Sequence, residues 1–283
     1  MTTHSLRFGI GTGNRKPVPE LARQWQMIEN LGWDTAWVVD HFLAGNDEDA
    51  PYFEAWTLIA ALGMVTSRIR FGIMVSGNTY RNPGLLAKQA VTIDHASNGR
   101  VELGIGAGWM EREHTAYSYH FPSAGERVDM YEEALQILRS LMTQRRTDFN
   151  GRYYQFVDAP FEPKPLQHPR IPIVAGAFSK RTTTIAGKYA DIWNTRADPE
   201  KAREQLGWLR TGAEQVGRDP GDIRASIYTW NPPFEHENQL VEEIQPYREL
   251  GFTDFIFPMP PEDQWDMMEK VSREVLPKLR REG

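Results

Sequence analysis

Residues 171–193, IPIVAGAFSKRTTTIAGKYADIW, decide the fold. Ile171 to Ala175 is a short apolar, strand-like run, Lys180 to Tyr189 has helical character, and Ala190 to Trp193 is a second strand-like run. Two strands joined through a helix run parallel, because the crossover returns the chain to the end from which it left.

The same unit recurs on both sides. Leu6 to Ile10 is followed by a helix with Pro19 in its first turn, Leu21, Trp25, Ile28 and Leu31 on one face and Gly32 as its stop. Thr35 to Val39 precedes a helix across Ala55, Leu58, Ile59 and Leu62, and Ile69 to Val75 precedes one opened by Pro83 and closed at Gly99. Val101 to Ile105 leads to the clearest helical period in the chain, Val128, Tyr131, Leu135, Leu138 and Met142. Beyond residue 193, Asp198-Pro199 caps a helix, Ile223 to Tyr228 precedes a helix from Leu240 to Leu250 that contains Pro246, and Thr253 to Phe257 precedes a last helix containing Trp265 and Met268. About eight strand-then-helix units result, the number that closes a parallel sheet on itself. The expected fold is α/β, a single (β/α)8 TIM barrel over residues 1–283, with residues 145–169 as an insertion between helix 4 and strand 5 that turns at Asn150-Gly151. A doubly wound open sheet is the alternative, but Gly9-Ile10-Gly11-Thr12-Gly13 lacks the spacing of a dinucleotide-binding loop.

Composition narrows the function. The formal charge of −6 gives no polyanion-binding footprint, so no nucleic-acid partner is expected. Zero cysteines exclude disulfides, thiolate nucleophiles and thiolate metal sites, and the seven histidines show no ligand spacing, so no metal site is expected. No apolar run is long enough to cross a membrane, and Met1 to Leu6 is polar with no leader-like run behind it, which gives a cytoplasmic address by default.

Active sites of such barrels sit in the loops after the strands. Here those loops hold Asp40-His41, Ser76 to Tyr80 with Asn78, Ala107-Gly108-Trp109-Met110-Glu111, Gly176-Ala177-Phe178-Ser179, Asn194-Thr195-Arg196, Trp230-Asn231 and Pro258-Met259. Glycines, hydrogen-bonding side chains and aromatics in this mixture suit a flat polar ring. His41 is the candidate proton carrier, with Asp40 to orient or charge it, unless the two are a turn cap beside a packed ring. Glu111 and Glu113 are candidate acids or the solvated start of a helix. Gly176, Ala177, Phe178, Ser179 and Lys180 lead into a helix N-terminus suited to phosphate, and Lys180, Arg181 and Arg196 are candidate cations at the rim.

At these residues the chain resembles the luciferase-like flavin and deazaflavin oxidoreductases, and within them the branch that uses coenzyme F420. The resemblance is carried by Trp37-Val38-Val39-Asp40-His41-Phe42, Asn78-Thr79-Tyr80-Arg81-Asn82-Pro83, Leu86-Ala87-Lys88-Gln89, the run from Asn98 to Trp109, Gly125-Glu126-Arg127, the run from Phe149 to Tyr154, Pro163-Lys164-Pro165 and Tyr189 to Asn194, over roughly residues 6 to 220. One departure is Gly176-Ala177-Phe178, where the family has a more glycine-rich turn. The resemblance implies His41 beside the reactive ring, and a non-proline cis peptide near Met74-Val75 that bulges the backbone behind it. It implies hydride transfer between the deazaflavin and a small organic substrate, with FMN as the alternative cofactor. Competing functions are an FMN-dependent monooxygenase, a non-catalytic flavin-binding barrel, and a hydrolase using Asp40 and Glu111 as paired carboxylates. A homodimer is a possible assembly that the sequence does not decide.

Overall fold

The computed structural model describes residues 4–45 and 47–282; Met1, Thr2 and Thr3 of the leader reading lie outside the described residues. In chain order the first half comprises β1 (Arg7–Gly11), α1 (Val18–Asn30), β2 (Thr35–Val38), α2 (Ala55–Gly63), β3 (Arg70–Ile73), β4 (Ser76–Gly77), α3 (Pro83–Ala96), β5 (Val101–Gly106), α4 (Glu111–Ala116) and α5 (Ala124–Thr143). The second half comprises β6 (Arg146–Asn150), β7 (Gln155–Pro160), β8 (Ile173–Gly176), α6 (Lys180–Tyr189), β9 (Ile192–Thr195), α7 (Pro199–Gln215), β10 (Arg224–Tyr228), α8 (Gln239–Arg248), β11 (Asp254–Pro258), α9 (Trp265–Glu274) and α10 (Leu276–Glu282).

Eight parallel strands pair in the order β1, β2, β3, β5, β8, β9, β10, β11, and β11 returns to β1 in register from Arg7 opposite Asp254 to Gly11 opposite Pro258. The sheet is closed, so the open doubly wound alternative falls. β4 continues β3 past a bend and lies on the end of β5, with Ser76 opposite Ile105. The expected third strand breaks there, and the Met74–Val75 peptide at the break is cis, as the resemblance implies. The sixth barrel strand starts two residues later than its apolar run, since Asp191 is a corner whose carboxylate binds Arg170 and the Ile173 N–H. Residues 146–160 form an antiparallel hairpin, β6 with β7, outside the barrel. Its turn is longer than the Asn-Gly pair suggests, because Glu133 of α5 accepts the N–H groups of Arg152, Tyr153 and Tyr154. None of the described helices is long and apolar enough to cross a membrane.

Two layers fill the barrel. Trp37 of β2 is buried in the upper one with Met74, Val174, Ile192, Tyr228 and Ile256. Gly9 and Gly72 make room for its indole: a methyl on Gly72 would lie 2.7 Å from the Trp37 ring, and one on Gly9 would lie 3.2 Å from its Nε1. Gly9 and Gly11 of the run 9–13 thus serve packing, the first beside Trp37 and the second beside Tyr228. Lower down, Glu102 binds Arg7 at 2.6 Å and Arg70 at 2.6 Å, and Arg7 also binds Asp254 at 2.9 Å. Burial pushes the Glu102 carboxyl up, but the two guanidinium groups outweigh it and hold the pKa at about 2.

Removing the Glu102 charge strands arginines inside the barrel, so Glu102→Gln is expected to cost about 3 kcal/mol or more in urea unfolding. The folded pKa lies below the ordinary 4.5, so the stabilisation is full above that pH and is lost as pH falls toward 2. An acid unfolding curve that coincides for wild type and Glu102→Gln refutes this.

Candidate active site

The strand ends open on a cavity of about 790 Å³. His41 and Asp40 line it from β2, Met74 to Gly77 from the bend, Gly106 to Trp109 from β5, Gly176, Phe178 and Ser179 from β8, Arg196 from β9, and Tyr228 and Trp230 from β10. Every contribution comes from the C-terminal side of a strand because all eight run the same way.

The bend is held by backbone and glycine. Met74 N–H donates to Val38 O at 2.8 Å, and Asn78 N–H donates to Gly106 O at 3.0 Å. The Val75 side chain rests on two glycines: a methyl on Gly106 would meet its Cγ2 at 2.8 Å, and one on Gly176 at 2.6 Å. Val75 and Met74 therefore form an apolar step in the cavity wall.

His41 is oriented by a residue other than the expected one. Asp40 is buried and turned to Arg81, which binds it at 2.5 and 3.0 Å and also reaches Glu54, while Gly77 N–H donates to the same carboxylate. The His41 ring meets Glu113 instead, Nδ1 to Oε2 at 3.1 Å, and stands edge-on to Trp109. Glu113 is fully buried and also accepts the Tyr80 hydroxyl and the N–H groups of Phe42 and Leu43. Burial pushes the Glu113 carboxyl up, yet the hydrogen bonds from His41, Tyr80 and Leu43 outweigh it and hold it below its ordinary value. Glu111 is a correction. It is exposed at the start of α4 and does not line the cavity, because two residues along a helix turn the chain to the opposite face and bring Glu113 inward.

The loop after β8 divides. Ala177 is buried behind the wall, its N–H bonded to Asn194 O, and the Ser179 hydroxyl caps α6 by accepting Thr182 N–H. Lys180 is exposed and off the cavity, and Arg181 pairs with Asp129 of α5. Neither of these two expected cations reaches the cavity lining. Arg196 and Lys201 do. Arg196 lies between the rings of Tyr228 and Trp230, 4.1 and 4.2 Å from their centres, and its Nε is buried without a partner. Asn78 is buried outside the lining, its Nδ2 3.4 Å from the Tyr154 hydroxyl. Tyr80, named in the loop after the third strand, lines the cavity, and so do Thr182, Lys201, Gln205 and Tyr228, which the sequence does not single out because residues within a helix or strand give no local signal of a site. Among the described residues no cluster of His, Asp and Glu could hold a metal ion.

Arg81→Met leaves Asp40 buried and unpaired and is expected to cost about 3 kcal/mol in urea unfolding, whereas Glu111→Gln is expected to leave stability within about 0.5 kcal/mol. Equal effects of the two changes would contradict the assignment of Asp40 to Arg81.

A family model described as luciferase-like monooxygenase matches residues 2–254. An F420-dependent glucose-6-phosphate dehydrogenase of Microbacterium testaceum (strain StLB037) is 28% identical, covering 99% of both chains. An F420-dependent hydroxymycolic acid dehydrogenase of Mycobacterium tuberculosis is 31% identical over 72% of this chain and 56% of the relative. Among solved structures, an F420-dependent secondary alcohol dehydrogenase in complex with an F420-acetone adduct superposes with a TM-score of 0.86 at 20% identity, over 98% of this chain and 99% of the other. A coenzyme F420 dependent tetrahydromethanopterin reductase from Methanopyrus kandleri gives 0.85 at 17% identity, over 98% and 100%. These superpositions establish the barrel.

Proposed function

The chain belongs to the luciferase-like monooxygenase family, and we propose that it is a deazaflavin oxidoreductase, moving a hydride between coenzyme F420 and a small organic substrate. The observation that carries this reading is that His41, backed by Glu113, shares one cavity with the apolar step of Met74 and Val75. The residues present fit a tricyclic ring with an anionic tail. Gly106 and Gly176 let the Val75 side chain lie flat against the wall, and Gly108 leaves room for Thr79, so this side of the cavity is a smooth apolar surface. Ser179 and Thr182 at the start of α6 suit a phosphate, and the unpartnered Arg196 Nε suits a further anionic group. Ala107, Phe178 and Trp109 would complete the walls.

Bound there, the deazaflavin supplies a two-electron hydride carrier. The chain's own residues hold and exclude. Met74 and Val75 would hold one face of the ring, Trp109 and Phe178 shield the mouth of the cavity, and His41 is placed to give or take the proton at the substrate oxygen. Asp40, tied to Arg81, fixes the backbone at Gly77. We propose further that residues 1–283 act as one domain, with 145–169 as its insertion, in the cytoplasm and on small molecules.

Fluorescence titration of the purified chain with F420 and with FMN decides the cofactor. Micromolar or tighter binding of F420, with FMN at least tenfold weaker, is expected; the reverse order overturns the cofactor and leaves the barrel standing. His41→Ala is expected to lower turnover by about 10²–10⁴-fold with unchanged melting temperature, since a positioned acid or base is worth that much. Full turnover in that variant would remove His41 from the mechanism.

A further inference from the structure

A histidine ring offers two nitrogens, and which of them carries the proton decides what the site can do. Glu113 settles this for His41. Its Oε1 accepts Phe42 N–H at 2.8 Å and Leu43 N–H at 2.9 Å, and its Oε2 accepts the Tyr80 hydroxyl at 2.5 Å and faces His41 Nδ1 at 3.1 Å. Backbone amides only donate, so the carboxylate end they hold must accept, and an ionised carboxylate has nothing to donate at its other oxygen either. Nδ1 therefore carries a hydrogen, and the lone pair of the neutral ring sits on Nε2, which has no partner among the described residues.

Other charges near the ring are already committed. Asp40 is paired with Arg81, which also binds Glu54, and Tyr52, close enough to feel Glu113 and Asp40, is pushed up to about 12, chiefly by burial, and stays neutral. Across the cavity Tyr228 is likewise raised by burial, and Arg196 lies against its ring. Among the described residues, Glu113 is thus the one carboxylate bonded to His41, and Tyr80 is the one other side chain that shares the bonded oxygen.

We propose that Glu113 and Tyr80 are a pair of positioning residues for His41: Glu113 locks the ring with its hydrogen on Nδ1 and its lone pair on Nε2, and the Tyr80 hydroxyl draws charge from the shared oxygen, so tempering how strongly Glu113 favours the imidazolium. The pair deepens the reading of His41 as the proton carrier and rests on it. In alcohol oxidation Nε2 would accept the hydroxyl proton while a bound deazaflavin would supply the hydride acceptor for the carbon that becomes the carbonyl; in reduction Nε2–H would return the proton. Tyr80 itself moves no proton, because burial and the carboxylate beside it raise its hydroxyl far above the ordinary value.

The test uses cofactor-free full-length protein labelled with ¹⁵N-histidine, with the His41 signals identified by their loss in His41→Asn. Wild type at high pH is expected to show the Nδ1–H form. In Glu113→Gln the amide oxygen keeps the Phe42 and Leu43 N–H groups and the amide nitrogen donates to Nδ1, so the ring is expected to flip to Nε2–H. Tyr80→Phe keeps the ring packed on His114 and Phe42, at 4.7 and 4.8 Å, and is expected to move the His41 titration midpoint upward by about half a pH unit. An Nε2–H form in wild type overturns the proposal without need of any variant, and a midpoint that is unmoved or lowered in Tyr80→Phe overturns the part assigned to Tyr80. The F420 titration reads a separate property, so failure of either reading leaves the other result interpretable.

Discussion

Three positions on two neighbouring strands cannot carry a side chain, and the site depends on that. A methyl on Gly104 would lie 1.8 Å from Ile73 O, and methyls on Gly106 and Gly176 would run into Val75. With those glycines in place β3 approaches β5 closely, leaves the sheet at Met74 and rejoins it as β4 beside the end of β5. That detour sets Gly77 N–H against Asp40 and carries the chain to Tyr80 and Arg81. The two acidic side chains that shape the His41 region, Asp40 and Glu113, thus each find a partner supplied by the turn that follows the bend.

Below this level the barrel is stratified. An ionic layer of Arg7, Arg70, Glu102 and Asp254 lies under an apolar layer centred on Trp37, and the cavity lies above both. The order has an energetic sense. Buried ion pairs contribute little net stability but are costly to break, so at the base they fix the register of β1, β3, β5 and β11 where no ligand needs room. Trp37 then separates that charge from the cavity floor with a large uncharged ring, its one N–H satisfied by Thr35 at 2.8 Å.

The alternation of strand and helix was legible because each unit buries one helical stripe on one apolar strand, and that periodicity is local. Its failures are local conflicts. Asp191 follows Ala190 within an apolar run, but Arg170, twenty-one positions earlier, draws it into a corner. The six-residue α4 is too short to show a period, yet it alone decides that Glu113 rather than Glu111 turns inward. Adjacency in sequence paired Asp40 with His41, whereas each side chain found its partner elsewhere in the chain, Asp40 in Arg81 and His41 in Glu113 of α4. Lys180 and Arg181 stand at the right helix end for an anion, but α5 supplies Asp129 to one of them and the other points to solvent. Loop composition located the site; which member of each loop faces inward depends on contacts tens of residues away.

The disposition of charge then follows from partners rather than from a count of charged side chains. Asp40 pairs with the Arg81 cation, and Glu113 is held by four hydrogen-bond donors, of which only His41 can become a cation. Lys201 is held by Glu204 and lies over Trp208. Arg196 meets the faces of Tyr228 and Trp230, and no carboxylate among the described residues forms an ion pair with it. Among the described residues, Arg196 is the charged side chain of the cavity lining for which no ion pair is found. A guanidinium between two rings keeps its charge while its hydration is reduced, which strengthens its pull on an anion that enters. Such a site draws the anionic end of a ligand toward β9 and β10, and so leaves the uncharged end for the strand ends that carry His41 and Val75.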